Sequence, residues 1–162
     1  MIQFSECRIM TKCSLSVRIA LLGGIGRCPC AGGTVATVFA GIPVACLLGS
    51  LPVPAGLFLL FLAILASCYV SEQTERAFMI HDPKEIVIDE VAGYLVTMMV
   101  LPITLKSLLL GVVAFRLFDI WKPWPINVLD QRVAGGVGVV LDDLAAGVYA
   151  HVTVWIVLFW LQ

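Results

Sequence analysis

Ala55-Gly56-Leu57-Phe58-Leu59-Leu60-Phe61-Leu62-Ala63-Ile64-Leu65-Ala66-Ser67-Cys68-Tyr69-Val70-Ser71 runs for seventeen positions without a charge. A stretch of that length and polarity reads as a helix across a bilayer, whose hydrocarbon core takes ~20 residues to cross. Outward from it, four more apolar stretches stand at 34–50, 86–101, 104–120 and 137–161. The stretches 86–101 and 104–120 carry acids at one end and need tilt or local thinning to cross. Before them, residues 14–22 mix Arg18 with apolar positions and form a candidate interfacial helix. Composition agrees, with 60% apolar and 13% charged residues in a chain of 162, against the ~45–50% apolar share of a soluble domain. The expectation is a single all-α domain over 1–162. It is an integral membrane helical bundle of about five embedded helices, with 1–22 as an N-terminal tail. No cleavable signal peptide is expected, because Glu6, Arg8, Lys12 and Arg18 break up any apolar core near the start.

Between the apolar stretches the basic residues alternate. Arg8, Lys12, Arg18 and Arg27 precede the first, Arg76 and Lys84 follow the second, and Arg116, Lys122 and Arg132 lie around the fourth and fifth; only Lys106 falls on the other set of connections. Cytoplasmic loops carry the excess of Lys and Arg, so this asymmetry places the N-terminus, the 72–85 loop and the 119–134 loop in the cytoplasm. The C-terminus then faces outward.

The acids follow the same side. Asp89 and Glu90 open the third stretch, Asp119 closes the fourth, and Asp142 and Asp143 stand just inside the fifth. An ionised acid at a helix centre costs ~2.5–3.5 kcal/mol on insertion scales, so acids near a span face the bundle and find a partner. A bound cation is one such partner; a buried ion pair with Arg116 or Lys122 is the plainer one. At about 100° per residue, Asp89, Glu90, Gly93 and Thr97 share one face of a helix. His81-Asp82-Pro83-Lys84-Glu85 reads as that helix's start, with Asp82 as N-cap, Pro83 at the first position and Glu85 completing a capping box. Arg116 and Asp119 share a face three residues apart. Trp121-Lys122-Pro123-Trp124-Pro125 must end its helix, since two prolines cannot continue it, and holds an ammonium beside the carboxylates. The glycine runs at 23–26, 32–33 and 135–138 allow close approach of an anion or simply tight turns.

Six cysteines suggest neither zinc nor a disulfide framework: Cys28 and Cys30 form a lone pair with no second pair at finger spacing, and Cys7, Cys13, Cys46 and Cys68 are scattered. They read as reduced thiols filling small apolar spaces. His151, inside an apolar helix, reads as structural.

Ile86-Val87-Ile88-Asp89-Glu90 after His81-Asp82, then Phe115-Arg116-Leu117-Phe118-Asp119-Ile120-Trp121-Lys122-Pro123-Trp124-Pro125-Ile126, then Gly135-Gly136 through Asp142-Asp143, together resemble the signature of the phosphatidylglycerophosphatase A family. The resemblance covers most of residues 23–150. It implies a Mg²⁺-dependent enzyme of the bacterial inner (cytoplasmic) membrane, with its active site on the cytoplasmic side, converting phosphatidylglycerophosphate to phosphatidylglycerol and inorganic phosphate in phospholipid biosynthesis. Two positions depart from the family pattern. Gly32-Gly33-Thr34-Val35-Ala36-Thr37 stands where Pro-Gly-Thr-x-Gly-Ser is frequent, and Asn127 where a basic residue is common.

Other phosphatase chemistries lack their residues. No Cys has an Arg six positions on, and neither an Asp-x-Asp start nor a Pro-Ser-Gly-His motif is present. That leaves hard oxygen ligands around Mg²⁺, with either water or an Asp as nucleophile. The candidate metal ligands are Asp89, Glu90, Asp119, Asp142 and Asp143. The candidate catalytic residues are Asp89, Glu90, Asp119, Lys122 and Asp143, and the candidate substrate-binding residues are Thr34, Arg116, Lys122, Asp130 and Arg132. The expected partners are the lipid substrate and membrane lipids, with no nucleic acid and no protein partner deducible. A divalent-cation channel or transporter is the alternative, since acids inside spans also mark ion paths. A cation path needs acids through the whole depth, however, and these gather at one end beside Arg116 and Lys122.

Overall fold

The computed structural model describes residues 14–28 and 31–161, and among them there is helix and no strand. A short α1 (Leu15–Ala20) and a 3₁₀ segment (Leu22–Arg27) lead into α2 (Gly32–Gly49), which contains a π-helical stretch at Thr37–Gly41. Then come α3 (Val53–Phe78), α4 (Ile88–Met98), α5 (Leu105–Trp121), α6 (Ile126–Arg132) and α7 (Gly135–Trp160).

Three helices, α2, α3 and α7, are long and apolar enough to cross a membrane. The stretch expected over 86–101 is shorter than its hydropathy suggests. Only Ile88–Met98 is helical, and eleven residues rise about 16 Å against a hydrocarbon core of ~30 Å. This helix is the centre of the bundle rather than a lipid-facing span: Val91, Ala92, Tyr94, Leu95 and Met98 are all buried. The 17 residues of α5 rise about 25 Å, near the lower limit for crossing. By contrast α3 is apolar on every side and turns Leu57, Phe58, Phe61, Leu62 and Leu65 outward to the lipid. It also outruns its apolar stretch by about two turns. Glu72 and Arg76 form an i,i+4 ion pair of 2.8 Å there, and the helix ends at Met79 with φ of +56°.

The helix start expected at Asp82 does not form. Asp82 has φ of +47°, outside helical space, and α4 begins six residues later after Val87, without a side-chain cap. Burial decides this. Ile86 and Val87 are 4% and 1% exposed, Ile86 packs with Val17, Ala20 and Val70, and the Val87 N–H donates to the Ala20 carbonyl at 3.1 Å. Winding from Pro83 would pull both residues out of that contact. The same packing accounts for α1, which buries Val17 and Ala20 and leaves Leu15 and Ile19 exposed, as an interfacial helix should. The N-terminal tail before Ser14 lies outside the described residues.

The helices pack closely where α4 crosses α7. A Cβ on Gly147 would overlap the Gly93 carbonyl, and one on Gly93 would meet the Asp143 carbonyl at 2.6 Å and the Phe115 ring at 2.6 Å. Small residues at a crossing let backbones approach, which is how helices associate where lipid removes the hydrophobic drive. Thr97 Oγ1 donates near this crossing, 3.1 Å from the Gly93 carbonyl and 3.3 Å from that of Gly147. His151 Nδ1 lies 3.0 Å from the Thr97 carbonyl, a helix-to-helix contact that fits its structural reading.

Candidate active site

The starts of α2, α4 and α7 and the ends of α3 and α5 meet at one end of the bundle. Three observations place them there. Gly33 backs directly onto the Glu90 carboxylate, with no room for a Cβ. The Gly136 N–H donates to Glu72 Oε2 at 2.6 Å. Arg116 from α5 and Lys122 just after it reach acids on α4 and α7. The opposite end carries Lys106 in the first turn of α5, the one basic residue there among the described residues, in line with the asymmetry read from the sequence.

Two cations organise the site. Arg116 Nη1 donates to Glu90 Oε1 at 2.7 Å and to Asp119 Oδ2 at 2.6 Å. Lys122 Nζ donates to Asp130 Oδ1 and to Asp142 Oδ2, both at 2.6 Å. Lys122 is the residue after α5 and has φ of +44°, so the turn that ends the helix also aims its side chain. The following Pro123 and Pro125 fix the chain before α6, which brings Asp130 back to the ammonium. The plainer reading of Glu90 and Asp142, an ion pair with Arg116 or Lys122, therefore describes their contacts.

Asp89 and Asp143 differ. Both are buried, 6% and 4% exposed, and neither has a basic partner among the described residues. Asp89 Oδ1 accepts only the neighbouring Glu90 N–H, at 2.9 Å. Asp143 lies within reach of the charges of Asp89, Asp119, Asp142 and Glu90. Asp89 lies one turn before Gly93 and Asp143 one turn before Gly147, so the glycine crossing draws the two acids together. Beside them, Glu90 Oε2, Arg116 Nε and Asp142 Oδ1 are buried with no hydrogen-bond partner among the described residues. Leaving such a group unsatisfied costs about 1–3 kcal/mol, more when charged, so three at one place mark a site built for something else to enter.

Donor chemistry tests what that is. Asp89, Glu90, Asp119, Asp142 and Asp143 offer carboxylate oxygens alone, in excess of the two cations, and that set suits a hard divalent cation. Among the described residues no three His, Cys, Asp or Glu side chains close around one point as they stand, because Arg116 and Lys122 hold three of these carboxylates.

The remaining candidates divide. Thr34, half-buried in the first turn of α2, is next to the Gly33 that touches Glu90. Arg132 is exposed and makes no ion pair among the described residues, so it is not brought to the cluster. The Gly135–Gly138 turn offers its Gly136 N–H to Glu72 rather than to a free anion, which makes it a helix start capped by protein. Cys28, Cys46 and Cys68 are free thiols, and Cys7, Cys13 and Cys30 lie outside the described residues.

Two acids of this end had no sequence motif to mark them. Glu72 holds the start of α7, and Glu75 Oε1 receives the Asp82 N–H at 2.7 Å and pairs with His81 Nδ1 at 2.6 Å. Both sit past the apolar stretch of α3, and the one available hint was that they share a helical face three residues apart.

Comparison with known proteins follows the same residues. The family model for phosphatidylglycerophosphatase A matches residues 18–158. Phosphatidylglycerophosphatase A of Escherichia coli (strain K12) is 38% identical over 126 residues, covering 77% of this chain and 73% of that protein. The protein of the same name from Haemophilus influenzae is 32% identical over 142 residues, 86% of this chain and 84% of that one. A putative phosphatidylinositol-3-phosphatase of Bacteroides thetaiotaomicron is 31% identical over 147 residues, 86% and 91% of the two chains. No solved structure matches. With the match running from α1 to the last turns of α7 and taking in every acid of the cluster, the chain belongs to the phosphatidylglycerophosphatase A family.

Proposed function

We propose that this protein is a Mg²⁺-dependent phosphatase of the bacterial cytoplasmic membrane that releases phosphate from phosphatidylglycerophosphate, leaving phosphatidylglycerol. The observation that carries the reading is the meeting of Arg116 and Lys122 with buried, partly unpartnered carboxylates from α4, α5 and α7 at one end of membrane-length helices. A phosphate monoester needs cations on its oxygens and an acceptor for the proton of attacking water, and this end offers both. The lipid substrate follows the names of the two phosphatidylglycerophosphatase relatives. A cation path is less well supported. The far end of α4 borders an apolar cavity of about 210 Å³, lined by Ala45, Leu48, Leu57, Leu60, Leu95 and Met98, with no acid to continue a route.

Asp89, Glu90, Asp119, Asp142 and Asp143 would hold the Mg²⁺, which when bound polarises phosphoryl oxygens and acidifies water. The chain's own groups do the rest. Arg116, with its Nε–H unpaired, and Lys122 bind the phosphate oxygens, while Glu90, Asp119, Asp130 and Asp142 keep both cations in place before the lipid arrives. Asp89 and Asp143, which neither Arg116 nor Lys122 holds, are the acceptors for the water's proton.

The test is phosphate release by the detergent-purified protein. Release from phosphatidylglycerophosphate is expected with Mg²⁺, to be abolished by EDTA, and to return with Mg²⁺ or Mn²⁺ but not with Zn²⁺ alone. Full activity in chelator would remove the metal. Faster release from phosphatidylinositol 3-phosphate would move the substrate toward that named for the Bacteroides relative.

The basic asymmetry supports a cytoplasmic site. Single cysteines replacing Met79 and Leu161 in a background without the native six are expected to label from the cytoplasm and from the opposite side respectively. Labelling in the reverse sense would put the carboxylates on the outer face.

A further inference from the structure

Beyond its two glycines, the α4–α7 crossing carries two polar side chains that the reading above leaves without a task. On α4 the turns after Asp89 bring Gly93 and then Thr97, and on α7 the turns after Asp143 bring Gly147 and then His151. Each of the last two reaches across. Thr97, fully buried, places Oγ1 3.3 Å from the Gly147 carbonyl on α7 and 3.1 Å from the Gly93 carbonyl of its own helix, so one hydroxyl hydrogen serves both helices. His151 Nδ1 lies 3.0 Å from the Thr97 carbonyl on α4. A carbonyl only accepts, so Nδ1 is the ring nitrogen that carries the hydrogen. That carbonyl belongs to the last turn of α4, where helical partners run out, and His151 supplies one. Among the described residues these are the only side-chain hydrogen bonds that join α4 to α7, and no ion pair joins them. Glycine lets helices come near but has no side chain to interlock, so it leaves them free to slide. Directional bonds remove that freedom, since a slip of one residue, about 1.5 Å, stretches and misaligns both.

We propose that Thr97 and His151 are positioning residues, which fix the register of α4 against α7 and through it the placement of Asp89 relative to Asp143 for a divalent cation. The inference rests on the metal-dependent reading above. Neither residue acts on the acids by contact. Thr97 is eight residues beyond Asp89 and His151 eight beyond Asp143, about 12 Å along each helix. What carries the setting is the helix itself: Asp89 and Thr97 both lie within Ile88–Met98, and Asp143 and His151 both lie within Gly135–Trp160. A slip of α4 along α7 at Thr97 therefore arrives at Asp89 as the same slip. At the site end nothing corrects it, because Arg116 ties Glu90 to Asp119 on α5, and Lys122 ties Asp142 to Asp130 on α6. The two donors thus hold from within the bundle what the charged end leaves loose.

The test removes each donor while keeping apolar bulk, then restores it. Thr97→Val exchanges the hydroxyl for a methyl and strands no carbonyl, since those of Gly93 and Gly147 keep the N–H four residues on. His151→Leu takes away the ring N–H, whereas Thr97→Ser and His151→Asn keep a donor near the positions of Oγ1 and Nδ1. The readout is Mn²⁺ binding to the detergent-purified protein without substrate, followed by electron paramagnetic resonance of the free ion, beside thermal unfolding without metal. Thr97→Val and His151→Leu are expected to weaken Mn²⁺ binding about tenfold or more, and Thr97→Ser and His151→Asn by less than about threefold. Where His151→Leu loses its fold, Thr97→Val carries the comparison. Unchanged Mn²⁺ affinity in Thr97→Val overturns the inference alone, as does an affinity that follows Tm across the variants rather than the presence of the donor. No Mn²⁺ binding by the unsubstituted protein overturns the metal-dependent reading, and the inference with it.

Discussion

Asp89→Asn and Asp143→Asn are each expected to lower turnover of phosphatidylglycerophosphate by about a hundredfold to a thousandfold while the protein folds and inserts normally. Both acids are buried without a cation, so a charge there is a burden on the folded state, and the amide of the same shape relieves it. Their presence has to be explained by what they do. The comparison that isolates this is phosphate release at saturating Mg²⁺ beside thermal unfolding of the same preparations. Loss of rate with unchanged or raised Tm is the expected pair, and near wild-type turnover in either variant would take that residue out of the chemistry. Glu85→Gln is the control: Glu85 lies in the loop ahead of α4 and caps no helix, so neither quantity should move much.

Lys122→Ala should fail in two separable ways. Its ammonium is the partner of Asp130 and Asp142, and the Asp142 side chain is only 8% exposed, so truncation strands a buried carboxylate at a cost on the order of 3–5 kcal/mol. The phosphate also loses a cation, expected to cost about a hundredfold in turnover or more. Adding Asp142→Asn separates the two effects, since the double variant should recover much of the stability and none of the rate. Lys122→Arg sharpens the point. If the residue merely anchored the helix end to headgroups, Arg would serve equally well. The structure instead seats one nitrogen between two carboxylate oxygens at 2.6 Å each, and a planar fork does not reproduce that point contact. Wild-type turnover in Lys122→Ala would pass the phosphate to Arg116.

Much of this was legible beforehand, and what was not has physical reasons. An apolar run such as 55–71 announces its helix because nothing but a bilayer demands it, and Lys122-Pro123 announces a helix end because the ring forbids continuation. The convergence of Asp89, Asp119, Asp142 and Asp143 could be read because charge beside a span has few places to go. The start of α4 could not. Capping is worth about 1 kcal/mol, and burying Ile86 and Val87 against α1 is worth more, so tertiary packing overrode a correct local signal at Asp82. Hydropathy also overstated α4, because a helix surrounded by protein is as apolar as one surrounded by lipid. Glu72 and Glu75 escaped because their partners, Gly136 and Asp82, are backbone N–H groups, which every residue but proline possesses and no sequence advertises.

The crossing of α4 and α7 has a consequence for anyone who would rebuild this site elsewhere. Asp89 and Gly93 repeat on one helix what Asp143 and Gly147 repeat on the other, an acid and a glycine four apart. Because the glycines set how near the backbones come, they also set the gap between the acids, and a single methyl at either would widen it. The transferable unit is therefore a pair of helices in which each glycine lies against a backbone carbonyl of the other helix. A designer who copied the loop motifs and left out that contact would carry over the reagents without the spacing between them.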